Sequence, residues 1–471
     1  MTDWRGLRTP RGAIVLAVLA AALAVFAACR AREETGDRFS ARAALPPIAE
    51  APFWIGVWVG PPALDRDPVT WRRLVNAGID VSMGPLEDRY HRVDNLARLA
   101  FLDTTRSLSG PVMRTFVRDD SLHPDETRRA GWRERVAAIV RAYGGARSLG
   151  GYFLADEPRP DDVATWAPLA RELRRLDPAH PAFVNFAGVP PGDASNRAAR
   201  ARWRQAVERA VREGELASFT VDAYPFGVDG RERPHFLATL QDAAAVSRDT
   251  GRPFGVVLQW TGHGDLKAAT TGEARYQAMQ ALVHGASCVI WFTYWTPNPN
   301  EDPWYWHDGA VAYDGTPTAR LDTLAEINGS VHFTAGMRGS FGFSRYETMH
   351  FGGELPVGFL DELPRKLPRV AAVDGGPCTI GLDAASAEST GVLYLIANRD
   401  WDKVRTFTVQ FDSTVTQIGS TSELESTSGR TATGLWWTGA LKPGGAAVIS
   451  ARTRRPLSSA HPRTPSPPGT R

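Results

Sequence analysis

The sequence predicts an α/β fold, a (β/α)8 (TIM) barrel followed by a small C-terminal β-sandwich. Eight short apolar stretches alternate with helical patterns, and the later part of the chain changes to short alternating runs separated by turn residues. The length of 471 residues suffices for a barrel with an added module. An open doubly wound sheet is the alternative. That fold normally has a glycine-rich phosphate turn after its first strand, whereas the segment from Val59 to Ala63 contains a single glycine.

The eight predicted strands share a continuous apolar character, which is typical of parallel strands covered on both faces. They are 53–60, 78–84, 111–117, 150–155, 182–188, 219–224, 254–260 and 287–295. The predicted helices share apolar residues at helical spacing. They are 69–76, 93–108, 132–143, 162–176, 194–213, 234–248, 273–284 and 318–328. Strict alternation over eight repeats favours parallel βαβ units that close into a barrel.

Composition divides the chain into five predicted segments. They are a signal segment 1–28, a tether 29–52, the barrel 53–338, the β-sandwich 339–451 and a disordered tail 452–471 rich in Pro, Ser and Arg. Sandwich strands are expected at 392–397, 406–411, 435–438 and 446–450, with a turn at 398–403. Cys288 and Cys378 do not have the spacing of a zinc site or a disulfide framework, and both are expected to be free buried thiols.

The N-terminal segment has the pattern of a secretory signal. Three arginines precede an apolar run over 13–28, which is short for a membrane span, and Cys29 follows small residues. This arrangement resembles the lipobox of bacterial lipoproteins, and the resemblance implies lipidation of Cys29. The protein would then be anchored outside the cytoplasm, at the outer membrane or at the periplasmic face of the inner membrane. An ordinary cleaved signal, or an uncleaved anchor with an incidental cysteine, is the alternative.

The overall charge excludes one class of partner. Lys and Arg number 54 against 52 for Asp and Glu, and no basic run with interleaved aromatic residues is present, so nucleic-acid binding is not expected. The fifteen tryptophans and ten tyrosines suit both sugar stacking and core packing. No dinucleotide fingerprint or P-loop is present. His263 and His307 lack tight spacing to other ligands, so no metal and no cofactor are expected.

The fourth predicted strand ends in two adjacent acidic residues. The apolar run 152–155 leads into Asp156 and Glu157, and Pro158 prevents the strand from continuing. Asp162 can then cap the helix that follows. The sequence therefore places two carboxyl groups between a buried strand and a helix, in one β/α unit. A simple loop-capping role for these acids is the alternative.

A barrel of this kind carries its active site at the carboxyl ends of its strands. The candidate catalytic residues there are Glu157 and Asp222. Carboxyl groups, amides and aromatic rings together are what the cleavage of a glycosidic bond requires. The candidate substrate-binding residues are Trp58, Asp156, Asn185, Tyr224, Gln259, Trp260, Tyr294 and Trp295, and Arg114, Arg118 and His263 also lie at strand ends.

The motif Asp156-Glu157-Pro158 resembles the fourth strand of the large clan of (β/α)8 glycoside hydrolases, whose usual form is Asn-Glu-Pro. Segments 221–226, 289–295 and 314–318 and the trailing sandwich also resemble these proteins, so the resemblance spans roughly 53–450. It implies that Glu157 is the general acid/base and that the substrate is an oligo- or polysaccharide. The sequence departs from the clan where Asp156 replaces Asn and where Gln259 ends the seventh strand, at which retaining members carry a nucleophilic Glu.

The second carboxylate is open between several residues. Asp222 is placed best by topology, and Asp265, Glu301 and Asp302 are the others, while a structural role for Asp222 is the alternative. Glycosidases that invert configuration hold their carboxyl groups about 6.5–9.5 Å apart, and retaining ones about 5–5.5 Å. The leading hypothesis is a lipid-anchored glycoside hydrolase. A non-catalytic carbohydrate-binding lipoprotein, motivated by Gln259, and a structural lipoprotein without a sugar ligand are the alternatives.

Overall fold

The computed structural model describes residues 51, 53–86, 91–104, 113–159, 162–339, 345–353, 356, 367–384 and 390–454. The described residues belong to one compact unit. The predicted signal segment, Cys29 and nearly all of the predicted tether and tail lie outside the described residues. Within the described ranges, no helix is long and apolar enough to cross a membrane.

Eight parallel strands close into a barrel in chain order, with β1 paired to β8. The strands are β1 Trp54–Trp58, β2 Val81–Ser82, β3 Arg114–Val117, β4 Leu149–Asp156, β5 Ala182–Ala187, β6 Phe219–Asp222, β7 Phe254–Gln259 and β8 Cys288–Phe292. One helix follows each strand. These helices are α1 Pro68–Asn76, α2 Arg92–Thr104, α3 Trp132–Tyr143, α4 Val163–Leu176, α5 Arg197–Glu213, α6 His235–Thr250, α7 Thr271–Val283 and α8 Arg320–Gly339. The predicted (β/α)8 barrel is confirmed.

Local sequence signals set where several helices begin. Asp67 caps α1 by accepting a hydrogen bond from the Val69 amide, and Pro68 occupies the first helical position, where no amide hydrogen is needed. Thr270 and Glu273 form a capping box at the start of α7. These caps satisfy amide groups that a helix leaves without partners, so the loops before α1 and α7 end at defined residues.

The barrel interior is filled by large side chains. Phe116, Phe153, Phe183, Ile290 and Val257 are buried together inside it. The opposite faces of the same strands pack against the ring of helices in the largest apolar cluster of the protein. The barrel is therefore a packed core, and only its mouth is open to a substrate.

The C-terminal part is a β-sandwich of a five-stranded and a four-stranded antiparallel sheet. The strands are β9 Arg345–Phe351, β10 Val370–Asp374, β11 Cys378–Ala384, β12 Gly391–Asn398, β13 Arg405–Phe411, β14 Val415–Ser422, β15 Ser426–Arg430, β16 Leu435–Leu441 and β17 Ala446–Thr453. The sheet orders are β14-β17-β12-β11-β9 and β10-β13-β16-β15. Phe407, Trp437 and Ile449 are fully buried in the sandwich core. The predicted sandwich is confirmed, and the turn at 398–403 connects strands of different sheets.

The sandwich packs against a loop at the mouth of the barrel. Trp401, between β12 and β13, contacts Phe226 and Tyr276 with ring centroids 5.2 Å and 5.3 Å away. Phe226 belongs to the loop that follows β6, and Arg275 of α7 donates a hydrogen bond to the Pro443 carbonyl of the sandwich at 3.1 Å. The sandwich therefore supports the loop that follows the predicted site residue at the end of β6.

The two described cysteines are free and buried, as the sequence predicts. Burial raises the pKa of both thiols, to about 12 for Cys378. A thiol with a raised pKa forms little thiolate and is chemically inert. No group of His, Cys, Asp and Glu side chains suited to a metal ion occurs in the described part of the chain.

Candidate active site

The register of three neighbouring strands brings the polar candidates together. Asp156, the last residue of β4, pairs with Asn185 of β5, and Asn185 in turn pairs with Thr220 of β6. Asp222 ends β6, two residues further on. Because parallel strands end at the same edge of the barrel, the carboxyl and amide groups meet at its mouth.

A buried amide holds the carboxyl groups in place. Thr220 Oγ1 donates to Asn185 Oδ1 at 2.9 Å, and Asn185 Nδ2 donates to Asp156 Oδ1 at 3.0 Å. Asn185 also hydrogen-bonds to Asp222. Its side chain is nearly inaccessible to solvent. Asn185 was predicted to bind substrate; its position makes it a residue that orients the acids.

Glu157 has an unusual backbone conformation. Its φ is +45°, in the left-handed region that costs a residue with a Cβ of order 1–3 kcal/mol. The Glu157 amide still donates to the Asn185 carbonyl at 2.8 Å, and the pairing of β4 with β5 shifts register between Phe153 and Ala155. Alternation along a regular strand would point Asp156 and Glu157 to opposite faces. The bulge and the left-handed residue let both carboxyl groups act on Asp222.

Asp222 is the most strongly perturbed acid of the cluster. Burial raises its pKa well above the ordinary value of 3.8, and the negative charges of Glu157 and Asp156 and a hydrogen bond with Glu157 raise it further. A hydrogen bond from Asn185 opposes these effects. The negative charge of Glu157 therefore opposes ionisation of Asp222. A carboxyl group with a raised pKa keeps its proton at a pH where an ordinary carboxyl group has lost it.

Glu157 and Asp222 lie near enough to each other for Glu157 to raise the pKa of Asp222, and the two side chains differ in their exposure to solvent. The side chain of Asp222 is 8% exposed, whereas Glu157 is open to solvent. Glu157 is thus the member of the pair that a substrate can reach.

Asp156 and Arg118 extend the site toward β3. Burial raises the pKa of the Asp156 carboxyl group, and the negative charge of Glu157 raises it further. The hydrogen bond from Asn185 and the positive charge of Arg118 lower it. The Arg118 guanidinium lies 5.1 Å from the centre of the Phe153 ring. A cleft of about 790 Å³ lies beside Arg118, Asp156 and Glu157 and continues along the loop that follows β3.

Trp58 and Tyr224 lie where a substrate-binding role requires. Trp58 is partly buried at the end of β1 and contacts Phe153 and Phe292 at 5.4 Å and 6.0 Å. Tyr224 lies beside Asp222, and burial and the neighbouring carboxyl groups raise the pKa of Tyr224 well above its usual value. The Tyr224 ring stacks on Phe292 at 5.5 Å. Phe292 therefore has Trp58 on one side and Tyr224 on another.

Gln259 does not face the mouth, contrary to the prediction that it binds substrate. It is fully buried; its Nε2 donates to the carbonyls of Phe226 and Lys267 at 2.7 Å, and its Oε1 accepts from the Phe226 amide. Every polar atom of the side chain is therefore engaged in tying the β6 loop to the β7 loop. Because residue 259 does not face the substrate, its being Gln is not evidence that the site has lost a nucleophile.

Trp260, Tyr294 and Trp295 are also core residues, which corrects the prediction that they bind substrate. Trp260 is fully buried with the Arg320 guanidinium 4.1 Å from its ring centre. Tyr294 is fully buried, and the Trp295 indole nitrogen donates to the Tyr313 carbonyl at 3.2 Å. The sequence at the end of a strand does not reveal whether a ring faces the mouth of the barrel or packs into the core.

The other candidates for a second carboxylate lie in loops with their own partners. Asp265 forms an ion pair with Arg233 and is largely exposed. Glu301 accepts a hydrogen bond from the Trp306 indole at 2.9 Å, and Asp302 accepts one from the Tyr305 hydroxyl at 2.9 Å. Of the candidates for the second carboxylate, Asp222 is therefore the one that interacts with Glu157.

An aromatic wall lies beside the carboxyl pair, and we define it as Tyr224, His263, Phe292, Trp304 and Trp306. Tyr224 and His263 were named from the sequence as strand-end residues, whereas Phe292, Trp304 and Trp306 were missed. His263 stacks on Trp306 at 4.5 Å, and Phe292 contacts Trp306 at 5.7 Å. Trp304 lies 6.1 Å from Trp306. Residues 304–306 read Trp-Tyr-Trp in the sequence, a visible signal, but strand and helix periodicity does not locate a loop.

The raised pKa of Asp222 leads to a prediction about stability. An acid whose pKa is raised by folding contributes stability that is present below its unfolded pKa of 3.8 and is lost as the pH rises through its folded pKa. Asn cannot titrate and can still donate a hydrogen bond to Glu157. We therefore expect the free energy of unfolding of Asp222→Asn to increase relative to that of the wild type as the pH rises. The increase should be about 1.4 kcal/mol for each unit by which folding raises the Asp222 pKa.

Urea unfolding of both proteins at pH steps between about 4 and 9 measures this difference. Asp322→Asn, at an exposed position on α8, is the matched control, and its difference from the wild type should stay constant with pH. A constant difference for Asp222→Asn as well would show that folding does not raise the Asp222 pKa.

Comparison with known proteins gives structural likenesses alone. No family model matches the chain, and no curated protein matches it. A β-galactosidase from the psychrophilic Marinomonas ef1 is similar with 12% identity and a TM-score of 0.43 over 61% of this chain and 60% of that one. A glucosidase from Croceicoccus marinus shares 13% identity with a TM-score of 0.43, over 87% of this chain and 97% of that one.

A family 39 glycoside hydrolase from Bacteroides cellulosilyticus WH2 is also similar, with 12% identity and a TM-score of 0.45 over 86% of this chain and 81% of that one. These structural neighbours are glycoside hydrolases. The chain spans about 60% of the length of the β-galactosidase.

Proposed function

We propose that the chain is a glycoside hydrolase that cleaves O-glycosidic bonds of an oligo- or polysaccharide, with Glu157 as the general acid/base. The observation that carries the proposal is the cluster of the Asp156, Glu157 and Asp222 carboxyl groups at the open mouth of the barrel. Cleavage requires a proton for the departing sugar oxygen. The raised pKa of Asp222 keeps a proton in this cluster at a pH where isolated carboxyl groups have lost theirs.

The residues of the site divide the work between them. Glu157, the accessible member, donates a proton to the leaving oxygen as the glycosidic C–O bond breaks. Water then forms the new bond to the anomeric carbon, and the proton that this water loses returns to the carboxyl pair of Glu157 and Asp222. The carboxyl group of Asp156, fixed by Asn185, contributes negative charge beside the positive charge that develops on the sugar ring. Trp58 and Tyr224 supply rings next to these acids for a sugar face.

A non-catalytic carbohydrate-binding protein is the second candidate. The observation that favours it is that Asp265, Glu301 and Asp302 are engaged with Arg233, Trp306 and Tyr305, so the remaining candidate for a second carboxylate is the buried Asp222. Such a protein would use the same rings and hydrogen-bonding groups to hold a sugar and would release it unchanged.

Hydrolysis and binding measured side by side distinguish the two candidates. The purified full chain is offered a panel of aryl glycosides and oligosaccharides, and product release is followed together with equilibrium binding by calorimetry. Turnover of at least one substrate is the expected result. Saturable binding without turnover across the panel would favour the binding protein, and neither binding nor turnover would contradict both candidates.

The proposed cellular location depends on the N-terminal segment. We propose that Cys29 is lipidated and anchors the protein outside the cytoplasm, because small residues precede it at the end of an apolar run that follows three arginines. The anchored enzyme would meet its polysaccharide substrate at the outer membrane or at the periplasmic face of the inner membrane.

A further inference from the structure

Trp304 is exposed to solvent at the mouth of the barrel. Among the described residues it is the one tryptophan in the group of exposed large hydrophobic side chains, with 45% of its surface accessible. An indole with this exposure keeps apolar ring surface available for contact with a ligand.

The loop that carries Trp304 is held in place by its neighbours. The Trp304 carbonyl accepts a hydrogen bond from the Gly264 amide at 2.6 Å, and Gly262 and His307 exchange two backbone hydrogen bonds at 3.0 Å. Gly264 has a φ of +56°, and a Cβ there would lie 3.6 Å from the Trp304 ring. The indole therefore lies beside Gly264, and its ring has His263 at 6.0 Å and Trp306 at 6.1 Å as neighbours.

The loops after β6, β7 and β8 are joined to one another as well. Backbone bridges link Gly227 to Leu266 and Gly262 to His307, and Arg233 of the β6 loop pairs with Asp265 of the β7 loop. Binding to such a rigid surface loses little conformational entropy. The aromatic wall is consequently a preformed surface that needs no closing motion.

The aromatic wall connects the carboxyl pair to Trp304. Tyr224 lies beside Asp222, and its ring contacts Phe292 and His263. Those two rings contact Trp306. Solvent exposure is low for His263 and Trp306 and high at Trp304, the outer end. A ligand that lies along the wall would thus begin at the acids and end on the exposed indole.

We infer that the exposed surface of Trp304 is a distal sugar-binding subsite, and that the substrate is a carbohydrate chain long enough to contact both Trp304 and the carboxyl pair. This inference rests on the proposed glycosidase function. The apolar face of a sugar ring stacks on an indole, and the polar edges of the sugar stay in water, which matches a ring exposed on one side. The closed barrel order puts the β3–β4 cleft across the mouth from the β7–β8 wall, so the acids lie between two surfaces that a chain can contact.

The test compares two substrates of the same sugar on three variants. The ratio of kcat/KM for an oligosaccharide to that for the aryl monosaccharide glycoside is measured for wild type, Trp304→Ala and Trp304→Phe. We expect Trp304→Ala to lower this ratio about tenfold, the loss of one aromatic stacking contact, and Trp304→Phe to restore most of it. Phe333→Ala, at an equally exposed aromatic residue on α8, should leave the ratio unchanged.

Calorimetric binding of the same oligosaccharide separates this inference from the proposed function. If the wild type hydrolyses the oligosaccharide and the ratio is the same in Trp304→Ala, the distal subsite is wrong and the glycosidase proposal stands. If no substrate is turned over, a roughly tenfold weaker binding of the oligosaccharide by Trp304→Ala still supports the subsite. Equal binding by the wild type and Trp304→Ala would overturn it.

Discussion

Glu157→Gln is expected to lower kcat for a substrate with a poor leaving group by about 10² to 10⁴-fold, the usual contribution of a general acid. Glutamine has nearly the same shape and can donate a hydrogen bond to Asp222, so the pair keeps its geometry while the transferable proton is lost. Binding of the substrate should change much less, because the ring contacts remain. The measurement is steady-state kinetics on the best substrate of the panel.

The leaving group provides an internal control for this prediction. A dinitrophenolate departs without protonation, whereas a sugar alkoxide needs a proton from the enzyme. The loss in Glu157→Gln should therefore be much smaller for a dinitrophenyl glycoside than for an oligosaccharide. Glu134→Gln, an exposed acid at the start of α3, is the matched control and should behave as the wild type. Equal losses on both substrates would remove Glu157 from the role of general acid.

The barrel was predictable because its signals are local and repeated. Helix α3 begins and ends where the sequence places it, since Gly131 and Gly144 flank its periodic apolar face. Helix α8 continues beyond the predicted 328 to Gly339, although Gly329 and Gly336 lower its intrinsic helix propensity. Val331 and Ala335 are buried on its inner face, so tertiary packing outweighs the propensity.

Strands without apolar alternation escaped prediction. The sequences of β14 and β15 are rich in Ser and Thr and largely exposed, so no pattern of period two marks them. One strand is shorter than the sequence predicts: β8 ends at Phe292, although the predicted apolar run continues to Trp295. The amides of Tyr294 and Trp295 bond to the carbonyls of Trp58 and Val59, which turns the chain over β1 and away from the ladder with β7.

The candidate site was predictable where topology alone decides and not where side-chain direction decides. The acids of β4 and β6 meet because parallel strand ends share one edge, a consequence of connectivity. Whether a residue near that edge points into the mouth depends on pleat and bulges. Gln259 and Trp260 are adjacent at the end of β7, yet one ties two loops together and the other packs under Arg320. The left-handed backbone of Glu157 likewise has no signature in its side chain.

Phe183→Ala is expected to lower the free energy of unfolding by about 3–5 kcal/mol, the cost of emptying a packed aromatic site. Phe183 is 5% exposed inside the barrel, with ring centroids 5.2 Å from Phe116, 5.4 Å from Phe153 and 6.2 Å from Trp58. Because strands on several sides hold these rings, the barrel cannot collapse to fill the cavity.

Urea unfolding monitored by far-UV circular dichroism measures the loss, and Phe333→Ala, whose ring is 54% exposed on α8, is the matched control with an expected change within about 0.5 kcal/mol. Phe153 lies on the strand that ends in Asp156, so a cavity beside it loosens the support of the acids. Turnover by Phe183→Ala should then fall even at urea-free conditions where the protein stays folded. A loss of stability below ~1 kcal/mol would show that the interior rings are not close-packed as the distances indicate.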